Sequence, residues 1–197
     1  VPKNRNTRDE NKQIKEGKTP DGWDDKPNMK RQKDEDARWT KKHGKSYYGY
    51  KNHINIDKEH KLIRRYAVTD ASVHDSQVFD DVLDEGNSDR SVWADSAYRS
   101  EAREKQLRDQ GYKSRIHRKG TKQRALNKRE QATNHRRSKV RARVEHVFGD
   151  QRTRQGSILV RTKGKVRAAV KIGLMNLTYN MRQLEFLLRP QSDGCPG

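Results

Sequence analysis

Two carboxylates in this sequence sit where phosphodiester chemistry would want them. Glu145 lies in SKVRARVEHVFGDQR, residues 138–152, a strongly basic stretch with helical periodicity. A helix turns every 3.6 residues, so Ser138, Arg141, Glu145 and Arg152, spaced three, four and seven, share a face. Val140, Val144 and Val147 form an apolar stripe beside them that can dock on a core. A glutamate flanked by arginines suits a metal ion held beside a phosphate backbone. An Arg–Glu pair four apart is also common on solvated helices. Asp95, in WADSAY, follows a short apolar run, where an open sheet presents its ligands beyond the carboxyl end of a strand. Its other reading is a turn aspartate capping the next helix. Cleaving or joining phosphodiesters needs an activated oxygen in line with a leaving oxygen, and two magnesium-type ions about 4 Å apart can stabilise both. Such ions take hard oxygen ligands, which carboxylates supply. Two acids are a thin set, and a third from another strand is expected. His74 and Asp75, in TDASVHDS, either face such a site or cap the helix after them.

The elements that must position these residues follow from periodicity. Residues 1–42 read as irregular, broken by Pro2, Pro20, Gly22 and Pro27. Trp23 and Trp39 are their large apolar anchors, and Arg5, Arg8, Lys30, Arg31 and Lys33 either contact phosphate or are solvated. Residues 46–56 and 62–69 alternate as strands around the polar turn at Asp57, which predicts a hairpin. A short helix opens at Asp75 and Ser76, with Val78, Phe79, Val82 and Leu83 at helical spacing. Residues 91–94 make a short strand before Asp95. Ser100 caps a helix that Gly111 stops, and residues 112–117 read as a further strand. After a basic loop, Asn127 and Glu130 form a capping-box start for a long helix through Glu145, with a break at Gly156. Val166, Val170, Leu174, Leu177, Met181, Leu184 and Leu188 step by four or three, which predicts an amphipathic helix packed through that stripe.

Composition narrows the classes of function. The 197 residues hold 46 Lys+Arg against 27 Asp+Glu, a net charge of +19, with 29% hydrophobic residues. One domain with a modest core is expected. The charge favours a polyanion as partner, nucleic acid before an anionic membrane surface. No long apolar run and no signal peptide is visible. Cys195 is the single cysteine, so no internal disulfide forms, and no zinc-type spacing occurs. This fits a reducing compartment.

Five stretches in order resemble one family. They are DARWTKK (36–42), YGYKNHINID (48–57), VTDASVHDS (68–76), WADSAY (93–98) and MNLTYN (175–180). With them, Ser138-x2-Arg141-x3-Glu145-x6-Arg152 is similar to the Y-x2-R-x3-E-x6-K pattern of DDE transposases of bacterial insertion sequences. Ser138 stands where the pattern has tyrosine, and Arg152 where it has lysine. The resemblance implies an α/β fold, a ribonuclease H-like mixed sheet flanked by helices. It implies Asp95 and Glu145 as the second and third acids, catalytic and metal-binding, sharing two Mg2+ or Mn2+ ions. It implies DNA contacts from Ser138, Lys139, Arg141, Arg143 and Arg152. The family's first Asp lies on a first strand just before a segment resembling VPKNRNTRDENK. The chain begins at Val1, so that strand and its Asp are expected to be missing, together with the helical region that reads transposon ends.

The expectation is therefore the C-terminal part of a transposase. Residues 1–45 would be a basic segment, 46–189 a partial catalytic domain and 190–197 a tail. It would bind transposon ends and target DNA, form a homo-oligomer on DNA when full length, and work in the bacterial cytoplasm at the nucleoid. It would not cut DNA in this form. A non-catalytic basic nucleic-acid-binding protein is the alternative, and another ribonuclease H-like nuclease a third. If the site assignment holds, Asp95 and Glu145 should approach within roughly 10 Å, the reach of ligands that share a metal pair.

Overall fold

The computed structural model describes residues 5–42, 44–121, 123–155 and 159–189. Gly156 and the expected tail, with Cys195, lie outside them. Helix α1 spans Arg8–Lys15, α2 Pro27–Lys30, β1 Arg38–Lys42, β2 Lys45–Ile56 and β3 Ile63–Asp70. A 3-10 turn, Asp75–Val78, runs into α3, Phe79–Val82. Strand β4, Ser91–Val92, is followed by a 3-10 turn at Ser96–Tyr98 and by α4, Glu101–Asp109. Strand β5, Lys113–Ser114, precedes the long helices α5, Lys128–Arg154, and α6, Lys165–Leu188. No described helix is long and apolar enough to cross a membrane.

The strands form two sheets rather than the expected single mixed one. β1, β2 and β3 make an antiparallel meander, and β4 and β5 pair in parallel. The hairpin pairs Asn52 with Val68 and Ile54 with Tyr66, as alternation predicts. In the second sheet only two residues of each strand pair, fewer than the apolar runs around them.

The first 42 residues are not irregular throughout, which corrects the reading from composition. Thr7 and Glu10 form a reciprocal capping box at the start of α1. Trp23 is 1% exposed, and its indole N–H donates to Glu10 at 2.8 Å. Lys33 is buried beside it, donating to Glu10 at 2.9 Å and to the Arg5 carbonyl. It is therefore not a phosphate contact. Charge content hid this small core because its charges pair with one another. Asp34 and Asp36 then reach α6. They accept from the backbone N–H groups of Gly164 and Lys165, satisfying donors at the helix start where negative charge is favoured.

Two apolar clusters form the core, and the second positions the long helices. Phe79, Leu107, Tyr112 and Ile116 close one around the β4–β5 sheet. Gly111, at φ +75°, ends α4 in the left-handed conformation that glycine adopts without strain. Ile63, Val147 and Tyr179 close the other, joining β3, α5 and α6. Val147 is fully buried, so the valine stripe docks as predicted. The apolar stripe of α6 does not. Val166, Val170, Leu174, Leu177, Met181, Leu184 and Leu188 are 49–77% exposed. The buried face carries Ala168, Ile172, Asn176 and Tyr179. Polar hydrogen bonds explain the choice. Asn180 clamps the Ile63 backbone at both N–H and C=O, and the Tyr179 hydroxyl donates to the Lys61 carbonyl.

Candidate catalytic face

Asp95 stands three residues after β4 and caps the following 3-10 turn, its Oδ1 accepting from Ser96 N–H at 2.6 Å. The capping reading of this residue therefore holds, and the strand end lies three residues before it. Glu145 lies midway along α5, which the Asn127–Glu130 capping box starts as predicted. That helix reaches Arg154 and so carries Ser138, Arg141, Glu145 and Arg152 on one element.

A single guanidinium joins the two acids. Arg141 Nη2 donates to Glu145 Oε1 at 3.0 Å, while its Nη1 lies 3.9 Å from Asp95 Oδ2. Asp95 and Glu145 thus face the same fork, within roughly 10 Å of each other. Both carboxylates keep about half or more of their side-chain surface in solvent.

His117 completes the cluster and was not legible as a site residue. Its Nδ1 lies 4.0 Å from Asp95 Oδ1, and its Nε2 is 3.5 Å from the Ser138 hydroxyl. Burial holds this imidazole below the ordinary histidine range against the pull of Asp95, and Arg141 and Arg137 add to the lowering. Ser138, where the family pattern has a tyrosine, is therefore the residue that meets His117.

The remaining predicted contacts divide. Lys139 and Arg152 are exposed on α5 and open to a ligand. Arg143 is turned to the β2–β3 connection and donates to the Lys58 carbonyl. His74 caps its 3-10 turn, and Asp75 pairs with Lys51 at 3.2 Å. Asp75 and Asp95 both act on Tyr98, whose hydroxyl burial first, and then these two charges, push up to about 12.

Arginines gather on the Asp95 side of the pair, where Arg137 and Arg141 both act on His117. Residues 113–143 hold thirteen Lys or Arg and one acid, Glu130. Glu130 anchors the loop before α5, accepting from Arg118 at 2.9 Å and Arg124 at 3.0 Å. The Asn127 backbone and these arginines hold its carboxyl down at about 2. Arg137 donates to the Ile116 carbonyl, and burial lowers its pKa, with Arg118, Arg115 and Arg99 adding to the effect. Like charges gathered this closely favour an anion among them.

Magnesium-type ions need more than this cluster offers. No group of three or more His, Cys, Asp or Glu among the described residues is placed to hold a metal. Two carboxylates sharing a guanidinium do not by themselves make a two-ion ligand set.

Carboxylates beside clustered arginines are compatible with action on a phosphodiester backbone. The chain belongs to the DDE transposases: the model of that family, Transposase DDE domain, matches residues 16–181. It is also similar to the transposase for insertion sequence element IS1106 of Neisseria meningitidis serogroup B. The two are 32% identical over 117 residues, 59% of this chain and 40% of that relative. The chain thus spans less than half the length of this curated relative. No solved structure matches.

Proposed function

We propose that the chain supplies the DNA-binding face and two of the acids of a ribonuclease H-like transposase, acting in DNA cleavage and strand transfer. The observation that carries this is the meeting of Asp95 and Glu145 on Arg141, beside the clustered arginines. Asp95 and Glu145 are the catalytic, metal-binding carboxylates of this reading. The family generally uses divalent ions, and in such sites they stabilise the attacking and leaving oxygens. Ser138, Lys139, Arg141, Arg143 and Arg152 meet the DNA backbone, with Arg143 free to do so after leaving the Lys58 carbonyl.

The 197-residue chain binds DNA without cutting it on this reading. Its acids carry two negative charges, and Arg141 already neutralises part of them. Further carboxylate charge is needed before two divalent ions can be held, so binding without cleavage is the reading for this chain.

A strand-cleavage assay with Mg2+ or Mn2+, on DNA bearing cognate ends, tests this. DNA binding without cleavage by the 197-residue chain is expected. Cleavage by the 197-residue chain that persists in Glu145→Gln would remove Glu145 from the chemistry. Binding should be largely independent of sequence, and log K should fall with log salt by about 0.9 per phosphate contacted.

A further inference from the structure

The outward stripe of α6 has a period that needs a partner. Val170, Leu174, Leu177, Met181, Leu184 and Leu188 alternate four and three, a 3.5-residue repeat sustained over 18 residues of uninterrupted helix. A straight α-helix in contact with a globular core has no reason to keep 3.5, whereas a seam against a second helix does. These six side chains expose roughly 650 Å², above the largest patch of a typical monomer and near the area each partner contributes to a standard stable interface.

We propose that α6 pairs with α6 of a second copy of this chain, antiparallel about a two-fold axis near Tyr179. The register follows from the sequence. Facing the helices so that Leu177 meets Met181 of the other copy also sets Leu174 against Leu184 and Val170 against Leu188. Every apolar layer is filled twice, as an isologous interface requires.

The flanking charges select this direction. In the antiparallel register Lys171 stands beside Glu185 of the other copy, on both sides of the axis, with Thr178 facing its own equivalent between them. Lys171 and Glu185 are both exposed, and Glu185, which accepts from Arg189 at 2.8 Å, has its second oxygen for the other copy. A parallel pair would instead put Arg167, one heptad before Leu174, against its own copy and would leave Lys171 beside Val166. Like charges in a seam are unfavourable, so the parallel alternative is selected against. The chain's net charge of +19 opposes self-association at low ionic strength. The dimer is therefore favoured by salt, which screens that repulsion, and by bound DNA.

Sedimentation equilibrium of the 197-residue chain in about 0.5 M salt tests this, since screening acts within a Debye length of a few ångströms there. A monomer–dimer equilibrium at micromolar concentration is expected, weaker in dilute salt. Leu177→Glu should weaken it at least a hundredfold with the thermal midpoint retained, because Leu177 is 54% exposed. The direction is read from charge reversal. Lys171→Glu and Glu185→Lys each weaken association about tenfold, and the double reversal restores it. These exposed charges keep the test valid should Leu177→Glu disturb folding. A wild-type chain monomeric at 100 times the micromolar range, or a double reversal without rescue, would overturn the proposal. So would Leu177-dependent binding of the monomer to anionic lipid vesicles, or burial of the stripe by another segment of a longer chain.

Discussion

Asn176→Ala should destabilise the chain far more than the loss of one small polar side chain would suggest. Asn176 is 2% exposed and is the junction of three elements. Its Oδ1 accepts from Asn52 Nδ2 of β2 at 2.8 Å and from Gln151 Nε2 of α5 at 2.8 Å. Its own Nδ2 donates back to Asn52 Oδ1 at 3.2 Å. Truncation leaves the Gln151 donor without this acceptor at a position only 4% exposed, where water cannot replace it. A buried unsatisfied donor costs about 1–3 kcal/mol, and the two Asn52 bonds add about 0.5–1.5 kcal/mol each, less what water recovers at that half-buried residue. The total is about 3 kcal/mol, or roughly a 10 °C fall in Tm for a chain of this size. Urea unfolding followed by far-ultraviolet circular dichroism measures it, read as a midpoint shift at unchanged slope. Asn176→Asp keeps the acceptor but loses the donor and buries a charge, so it should not rescue. A loss below about 1 kcal/mol for Asn176→Ala would refute the claim that this network holds the Glu145 helix against the sheet.

Three further outcomes follow from the same geometry. Glu130 has its folded pKa depressed to about 2 from 4.5, so its stabilising effect is complete above about 4.5 and is lost as pH falls through about 2. Thermal midpoints of wild type and Glu130→Gln should therefore differ at pH 6 and converge near pH 2. His117 should titrate below 6.5 by nuclear magnetic resonance, and Asp95→Asn should lower its pKa further, because Asp95 is the group that raises it; an upward shift would separate the two residues. Arg141→Gln should flatten the dependence of log K on log salt for DNA by about 0.9, one phosphate contact, whereas an unchanged slope would leave Arg141 to the carboxylates alone.

Local chemistry in the sequence determined much of this protein. The hairpin of β2 and β3, the Ser100 and Asn127 caps, the stop at Gly111 and the span of α5 are all read from alternation, capping residues and helical spacing. These depend on neighbours within a few residues. Arg141 and Glu145 were legible together for the same reason, being four apart on one helix. What joined them to Asp95 was the placement of α5 beside the segment that follows β4, which no spacing within the sequence encodes. His117 entered the cluster the same way, 22 residues from Asp95 and 21 from Ser138. The first 42 residues looked solvated because charges and prolines dominate them, yet Glu10, Trp23 and Lys33 satisfy one another in a small core. The sharpest division is α6. Its hydropathy identified an apolar stripe correctly but not the face that meets the sheet. Asn176, Tyr179 and Asn180 hold that face through hydrogen bonds to specific backbone and side-chain groups. Periodicity detects which residues avoid water; only the tertiary structure decides which surface they turn toward to do so.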